Sequence, residues 1–162
     1  MAIKRFIAIV VTSVACLGFG GVAVQASAPV SGSGTFQITF VPASVETADG
    51  NTFITFNFVE TTTGFLAGTR VGQGSLVIHP DGPVNARDSG IFTGTLGGSA
   101  PGTAFGHVEV SGTFSASTGL LEVSAGTGGL TGAHAQFVAS GHAIGTTSLA
   151  GTYIGQAQFS AS

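Results

Sequence analysis

The sequence predicts an all-β fold, eight antiparallel strands closed into an up-and-down β-barrel and preceded by an N-terminal signal helix. Three observations carry this reading. First, 43% of positions are hydrophobic and only 7% are charged, whereas disorder pairs low hydrophobicity with high charge, so the chain folds. Second, glycine (27), threonine (20) and serine (16) stand where a helical bundle needs leucine, glutamate, lysine and alanine. Third, short runs of alternating apolar and polar residues recur after residue 26, each ending at Gly, Asp, Asn or Pro. That is the pattern of strands joined by tight turns, and no ten-residue stretch follows a helical period there.

Lys4 and Arg5 open the chain, an apolar run follows from Phe6 to Val24, and small residues close it. This is the order of a secretory signal. Cleavage after Ala26 places Val24 and Ala26 at the two small-residue positions. A cut after Ala28 would leave Pro29 beside the bond. The run is also just long enough to serve as an uncleaved anchor, but its glycines and the small residues at the cut favour removal. Lipid attachment at Cys16 is disfavoured by Ser13, which stands where leucine is needed. The expected organisation is a signal peptide over 1–26, a flexible mature N-terminus over 27–33 and a barrel domain over 34–162, about the size of one ordinary domain. The mature protein is expected outside the cytoplasm, secreted or periplasmic, with no stable membrane insertion after cleavage.

Removing the signal leaves Arg70 and Arg87 against seven carboxylates, a net charge of −5. Nucleic acid is excluded as a partner, because phosphate binding needs clustered cations. Cys16 leaves with the signal, so the mature domain has no disulfide, thiol nucleophile or cysteine metal site. It must rely on its core, its backbone ladder or oligomerisation.

The strands are read in order as 34–41, 52–60, 65–79, 88–96, 103–115, 119–125, 133–144 and 148–159. Ala48-Asp49-Gly50-Asn51, Thr63-Gly64, Pro80-Asp81-Gly82-Pro83, Gly97-Gly98 and Thr118-Gly119 supply the positive φ or fixed proline geometry of the turns. Connections this short favour a meander, and closing it removes both exposed edges. Alternation assigns Phe36, Ile38, Phe40, Ile54, Phe56, Phe58, Leu76, Ile78, Phe92, Val108, Val110, Phe114, Leu121 and Val123 to the lumen. Phe53, Val71, Val77 and Phe105 break the pattern and suggest subunit contacts in a homo-oligomer, or local bulges. An eight-stranded barrel is just wide enough to be filled by side chains or to hold one small ligand. A membrane barrel would carry Trp and Tyr girdles and long loops, but this chain has no Trp and one Tyr.

Several segments carry a family resemblance. They are Phe65-x-x-Gly68 with Gly72-x-Gly74, Pro80-Asp81-Gly82, Phe92-Thr-Gly-Thr-Leu-Gly-Gly98, His107 to Phe114 ending in Gly112-Thr113-Phe114, and Gly126-Thr-Gly-Gly-Leu-Thr-Gly132. Their order over roughly 34–159 resembles an uncharacterised family of bacterial secreted proteins, itself similar to the allene oxide cyclase and dirigent barrels. The resemblance implies an eight-stranded barrel, often oligomeric, with a central hydrophobic pocket. In those families an arginine commonly follows the Gly-Thr-Gly turn, and His134 occupies the matching place here. The acidic and polar catalytic residues of the plant cyclases have no matching positions, so the resemblance assigns no catalytic residue.

Arg70, Glu60, Phe56, Phe58, Phe92 and His134 are the candidate ligand-binding residues. Arg70 shares parity with Leu66, Leu76 and Ile78 and lies among Gly68, Gly72 and Gly74, which leave room for its side chain or for a ligand carboxylate bound to it. Pointing inward, it would need an anionic partner. Glu60 has inward parity, but a hairpin through Thr61–Gly64 sets Arg70 near Thr55 or Phe56, about 13 Å from Glu60. A glycine bulge turning Arg70 outward is the plainer reading. His107 and Glu109 leave one strand face with Cα atoms about 6.6 Å apart, and are read as a solvated outer pair. His134 and His142 are about 26 Å apart in extended chain, too far to share an ion, so neither a metal nor a cofactor is expected. The Gly126-Thr-Gly-Gly run is read as a turn, since no Lys-Ser/Thr or helix follows it. Three functions fit: a pocket protein for a small apolar or amphipathic molecule, a cofactor-free cyclase or isomerase, or a structural oligomer with a filled lumen.

Overall fold

A computed structural model describes residues 27–160; the expected signal, its cleavage site and Cys16 lie outside the described residues. Eight strands follow one another: β1 (Val30–Ala48), β2 (Asn51–Gly64), β3 (Leu66–Ile78), β4 (Val84–Leu96), β5 (Gly102–Thr113), β6 (Ala116–Gly128), β7 (Ala133–Ala143) and β8 (Ser148–Phe159). Each pairs antiparallel with the next and β8 pairs with β1, closing the barrel. Among the described residues there is no helix. The ring is strongly staggered. Following paired residues from Val45 through Ile54, Leu76, Ala86, Val110, Gly119, Ala139 and Tyr153 returns to β1 at Gly34, eleven positions from the start. Stagger of this kind tilts the strands and sets the width of the lumen.

Several boundaries differ from the sequence reading. β1 begins at Val30 and pairs with β8 from that residue, and the Ser27 hydroxyl donates to the Phe159 carbonyl, so most of the segment expected to be flexible is sheet. β4 starts at Val84, because Asn85 and Arg87 continue the ladder with β3 and β5. Thr118-Gly119 is strand, and the β5–β6 turn lies at Phe114-Ser115, where Thr113 Oγ1 accepts from the Ala116 amide. Phe114 therefore sits in the turn at the open rim of the lumen, partly exposed and lining its mouth. Pro42 is tolerated mid-strand because β1 is bulged between Pro42 and Ser44 and lacks a β8 partner beyond Thr39.

The two ends of the barrel differ. At the end with the β2–β3, β4–β5 and β6–β7 turns, Leu66, Phe92, Leu96, Leu130 and Phe137 are fully buried and fill the lumen. Tyr153 ties this plug to the wall: its hydroxyl accepts from the Leu66 amide at 2.7 Å and lies 2.8 Å from the Thr63 carbonyl. Its ring meets Phe137 edge-on at 5.2 Å. Gly34 makes this reach feasible, since a Cβ there would stand 2.3 Å from the Tyr153 oxygen. At the other end the core thins to Ile38, Phe56 and Phe58, with Phe36, Phe40, Leu76 and Leu149 packed against them.

Outside, the residues that broke the alternation fall in two places: Phe53 pairs with Val77, and Val71 and Phe105 belong to one apolar row, with a register shift between β5 and β6 beside Phe105. Val59, Val71, Ile91 and Phe105 are directly paired across four strands and exposed. The next row is polar: Asn57, Gln73, Ser89, His107, Glu122, Gln136 and Gln156.

Candidate functional site

The half-filled lumen leaves a cavity of about 290 Å³ that opens towards the β1–β2, β3–β4, β5–β6 and β7–β8 turns. Phe36, Ile38, Phe40, Phe56, Leu76, Val108, Leu121 and Leu149 form its apolar wall, and Glu60, Arg70 and Asp88 interrupt it. This size is at the lower end of ligand pockets.

Arg70 points inward. The β2–β3 hairpin turns at Phe65, with Thr62 opposite Gly68, so Glu60 lies directly across from Arg70. The expected separation of about 13 Å and the outward bulge are both corrected by this register. β2 runs through the β-branched Thr61–Thr63 to Gly64, whose φ of 95° begins the turn, so the hairpin closes later along the chain than a turn over Thr61–Gly64 would place it. The Arg70 Nε donates to Glu60 Oε2 at 2.6 Å, and Nη1 donates to Asp88 Oδ1. Asp88 stands two rows nearer the mouth, opposite Gly74 and Val108. The row between is Phe58, Gly72, Gly90 and Gly106. Its three glycines clear the path along which the side chain runs: a Cβ on Gly106 would lie 2.9 Å from Arg70 Cδ. The guanidinium carbon sits 4.5 Å over the Phe58 ring, a cation–π contact that helps to offset its desolvation.

All three charged groups are buried, Arg70 to 2%, Glu60 to 7% and Asp88 to 8% of full exposure. Burial pushes the Glu60 and Asp88 carboxyls above their ordinary range, and the attraction of Arg70 only partly restores them. Burial also opposes the charge on Arg70, but the two carboxylates outweigh it and keep the guanidinium protonated. Two acids share one base, so full ionisation leaves one excess negative charge in a poorly solvated place, which is unfavourable.

The structure separates the sequence candidates. Glu60, Arg70 and Phe56 line the cavity, and Phe58 supports Arg70 from the side. Phe92 pairs opposite Arg70 on the plug side and is core. His134 is apart from all of them, exposed on the outer face opposite Gln158, because Ala133, Ala135 and Phe137 take the inner positions of β7. Asp88 escaped the sequence reading. Its parity with Phe92, two positions before Gly90, was the available signal, but its Arg70 partner is set by cross-strand register. His107 and Glu109 are indeed an outer pair, 3.6 Å apart. Among the described residues no cluster of three His, Cys, Asp or Glu could hold a metal ion, and no helix is long and apolar enough to cross a membrane.

The sequence matches no protein-family description and no curated protein. In structure, the chain is similar to a protein of unknown function of the DUF3224 family from Shewanella oneidensis MR-1, with a TM-score of 0.67 and 18% identity over 83% of this chain and 100% of that one. At that identity the likeness shows a shared fold.

Proposed function

We propose that this protein is an exported pocket protein that holds a small amphipathic molecule, its apolar part against the phenylalanine-lined wall and its polar end at Glu60, Arg70 and Asp88. One observation carries the reading: an apolar cavity of about 290 Å³ whose only charged lining residues, among those described, are this buried triad. A barrel built only as a scaffold gains nothing from an unfilled lumen, since packing it would add stability. Nor does it need a buried charge network, which a hydrophobic substitute commonly matches or exceeds. The signal-like N-terminus and the polar outer row support export and a life in water.

The test is retention and blockade. Compounds extracted from the exported protein are identified by mass spectrometry, and the neutral fluorophore N-phenyl-1-naphthylamine is titrated into wild type and Ala139→Phe, which fills the lumen. Binding by wild type and its loss in A139F is the expected result. A wild-type protein that retains no compound and leaves the fluorophore unchanged overturns the reading.

A second reading, a cofactor-free cyclase or isomerase, draws on the resemblance to the allene oxide cyclase barrels and on one observation: two carboxyls held above their ordinary pKa face an apolar cavity. A carboxyl whose pKa burial raises is better suited than a solvated one to serve as a general acid, with shape and positioning contributing the remainder. Chemical conversion of the retained compound, abolished by Asp88→Asn or Glu60→Gln, separates this reading from simple binding.

A further inference from the structure

The charge balance of the lumen narrows the class of ligand. Arg70 already donates through Nε to Glu60 and through Nη1 to Asp88, so a ligand carboxylate would have to share one guanidinium with two carboxylates that the protein supplies. It would also add a third negative charge to a site with one positive. The two acids also keep unused acceptors. Among the described residues no donor reaches Glu60 Oε1 or Asp88 Oδ2, and no fully buried polar side-chain atom lacks a partner. Both oxygens are therefore not fully enclosed, and both residues line the cavity. Each oxygen belongs to a side chain more than nine-tenths buried, where bulk water competes weakly.

We propose that the lumen selects amphipathic amines, with the protonated nitrogen donating to Glu60 Oε1 and Asp88 Oδ2 and the hydrocarbon part lying against Phe56, Leu76 and Leu149. This inference rests on the pocket reading above. An ammonium group adds one positive charge and brings the site to two of each sign, the balance that the protein alone does not reach. It carries three donors and no acceptor, which suits a floor that offers two carboxylate oxygens. Arg70 then acts as a positioning residue, holding the two acids apart at the pocket floor. Burial, which raises both carboxyl pKa values in the empty site, agrees with an uncompensated acid waiting for a cation. The cavity is roughly twice the ~150 Å³ that accommodates benzene, so one ring with a short chain is a fitting size.

Three probes that differ only in the head group test this: 4-phenylbutylamine, 4-phenyl-1-butanol and 4-phenylbutyrate, titrated at pH 7 and followed by calorimetry and by NMR of the lumen residues. The amine is expected to bind about tenfold more tightly than the alcohol, the scale of one hydrogen bond to a charged partner, and the acid is expected to bind weakest. In Glu60→Gln and Asp88→Asn the advantage of the amine over the alcohol should shrink to about threefold or less. The probe series on wild type does not depend on either variant folding. Equal affinity for amine and alcohol, or a preference for the acid, overturns amine selection and leaves the pocket standing. Absence of binding by all three overturns the pocket together with the inference.

Discussion

Arg70 is held by two carboxylates inside a lumen whose lining is mostly apolar. Removing it leaves two buried acids without a counter-charge, so Arg70→Met should destabilise the fold by about 3–5 kcal/mol. The triple variant Arg70→Met, Glu60→Gln, Asp88→Asn should return close to wild-type stability, because it carries no buried charge. Urea denaturation of the two proteins decides it, and a triple variant as weak as the single one would show that the network's charges are not what sets the cost. Tyr153 is the second residue on which much turns. Its hydroxyl serves the Leu66 amide and the Thr63 carbonyl at the β2–β3 turn. Tyr153→Phe leaves the Leu66 amide unpaired in a buried place and should cost about 1–3 kcal/mol, with early loss of hydrogen-exchange protection at Leu66. Unchanged protection there would refute its role as the tie.

Among the elements, β3, β4 and β5 share an unusual feature: Gly72, Gly90 and Gly106 face the lumen side by side. Glycine weakens a strand through its backbone freedom, and here the compensation is the volume along which Arg70 extends towards Asp88. Gly106→Val should push the Arg70 side chain off its path and destabilise by about 1–3 kcal/mol, the usual cost of overpacking. In the Arg70→Met background the same change should cost much less, since the flexible thioether yields. A double-mutant cycle reads this coupling directly, and additive costs would mean that the glycine row serves something other than Arg70. The strands were legible in the sequence because β-branched and aromatic residues alternate and Gly, Asp and Pro punctuate them. The β5–β6 turn was not, because Thr118-Gly119 carries turn chemistry and yet lies in the ladder opposite Ser111 and Val110. The actual turn, Phe114-Ser115, is secured by hydroxyls of Thr113 and Ser115 that any threonine or serine could provide.

For the whole molecule, the excess acid ties stability to pH. Glu60 and Asp88 both have folded-state pKa values raised above their ordinary 4.5 and 3.8. Between those ordinary values and the raised ones, the native state holds protons that the unfolded chain has already released. Stability from these groups is therefore fully present below the ordinary values and is lost as pH rises through the folded ones. The groups that face them are Arg70 on β3 and Tyr153 on β8 from within, and His107 on β5 from outside the wall. Denaturation midpoints measured from pH 7 down to pH 5 should rise, and the slope should flatten in Glu60→Gln/Asp88→Asn. Midpoints that fall on acidification in wild type, with the same slope in the double variant, would contradict this origin.

By itself the sequence determined the strand count, the class and the lumen-facing parity of Glu60, Phe56 and Phe58. These depend on a two-residue alternation and on local turn chemistry, both of which are written in neighbouring positions. Only the tertiary structure decided that Arg70 stands opposite Glu60 and that Asp88 completes the triad. Those facts follow from where one hairpin turns and from how far the closing ring is staggered. A shift of a few residues in a turn moves every partner across the sheet while leaving the alternation of each strand unchanged. The same closure decided which end of the lumen is plugged and which is open, since that depends on Leu66, Leu130 and Phe137 meeting from strands and turns far apart in the chain.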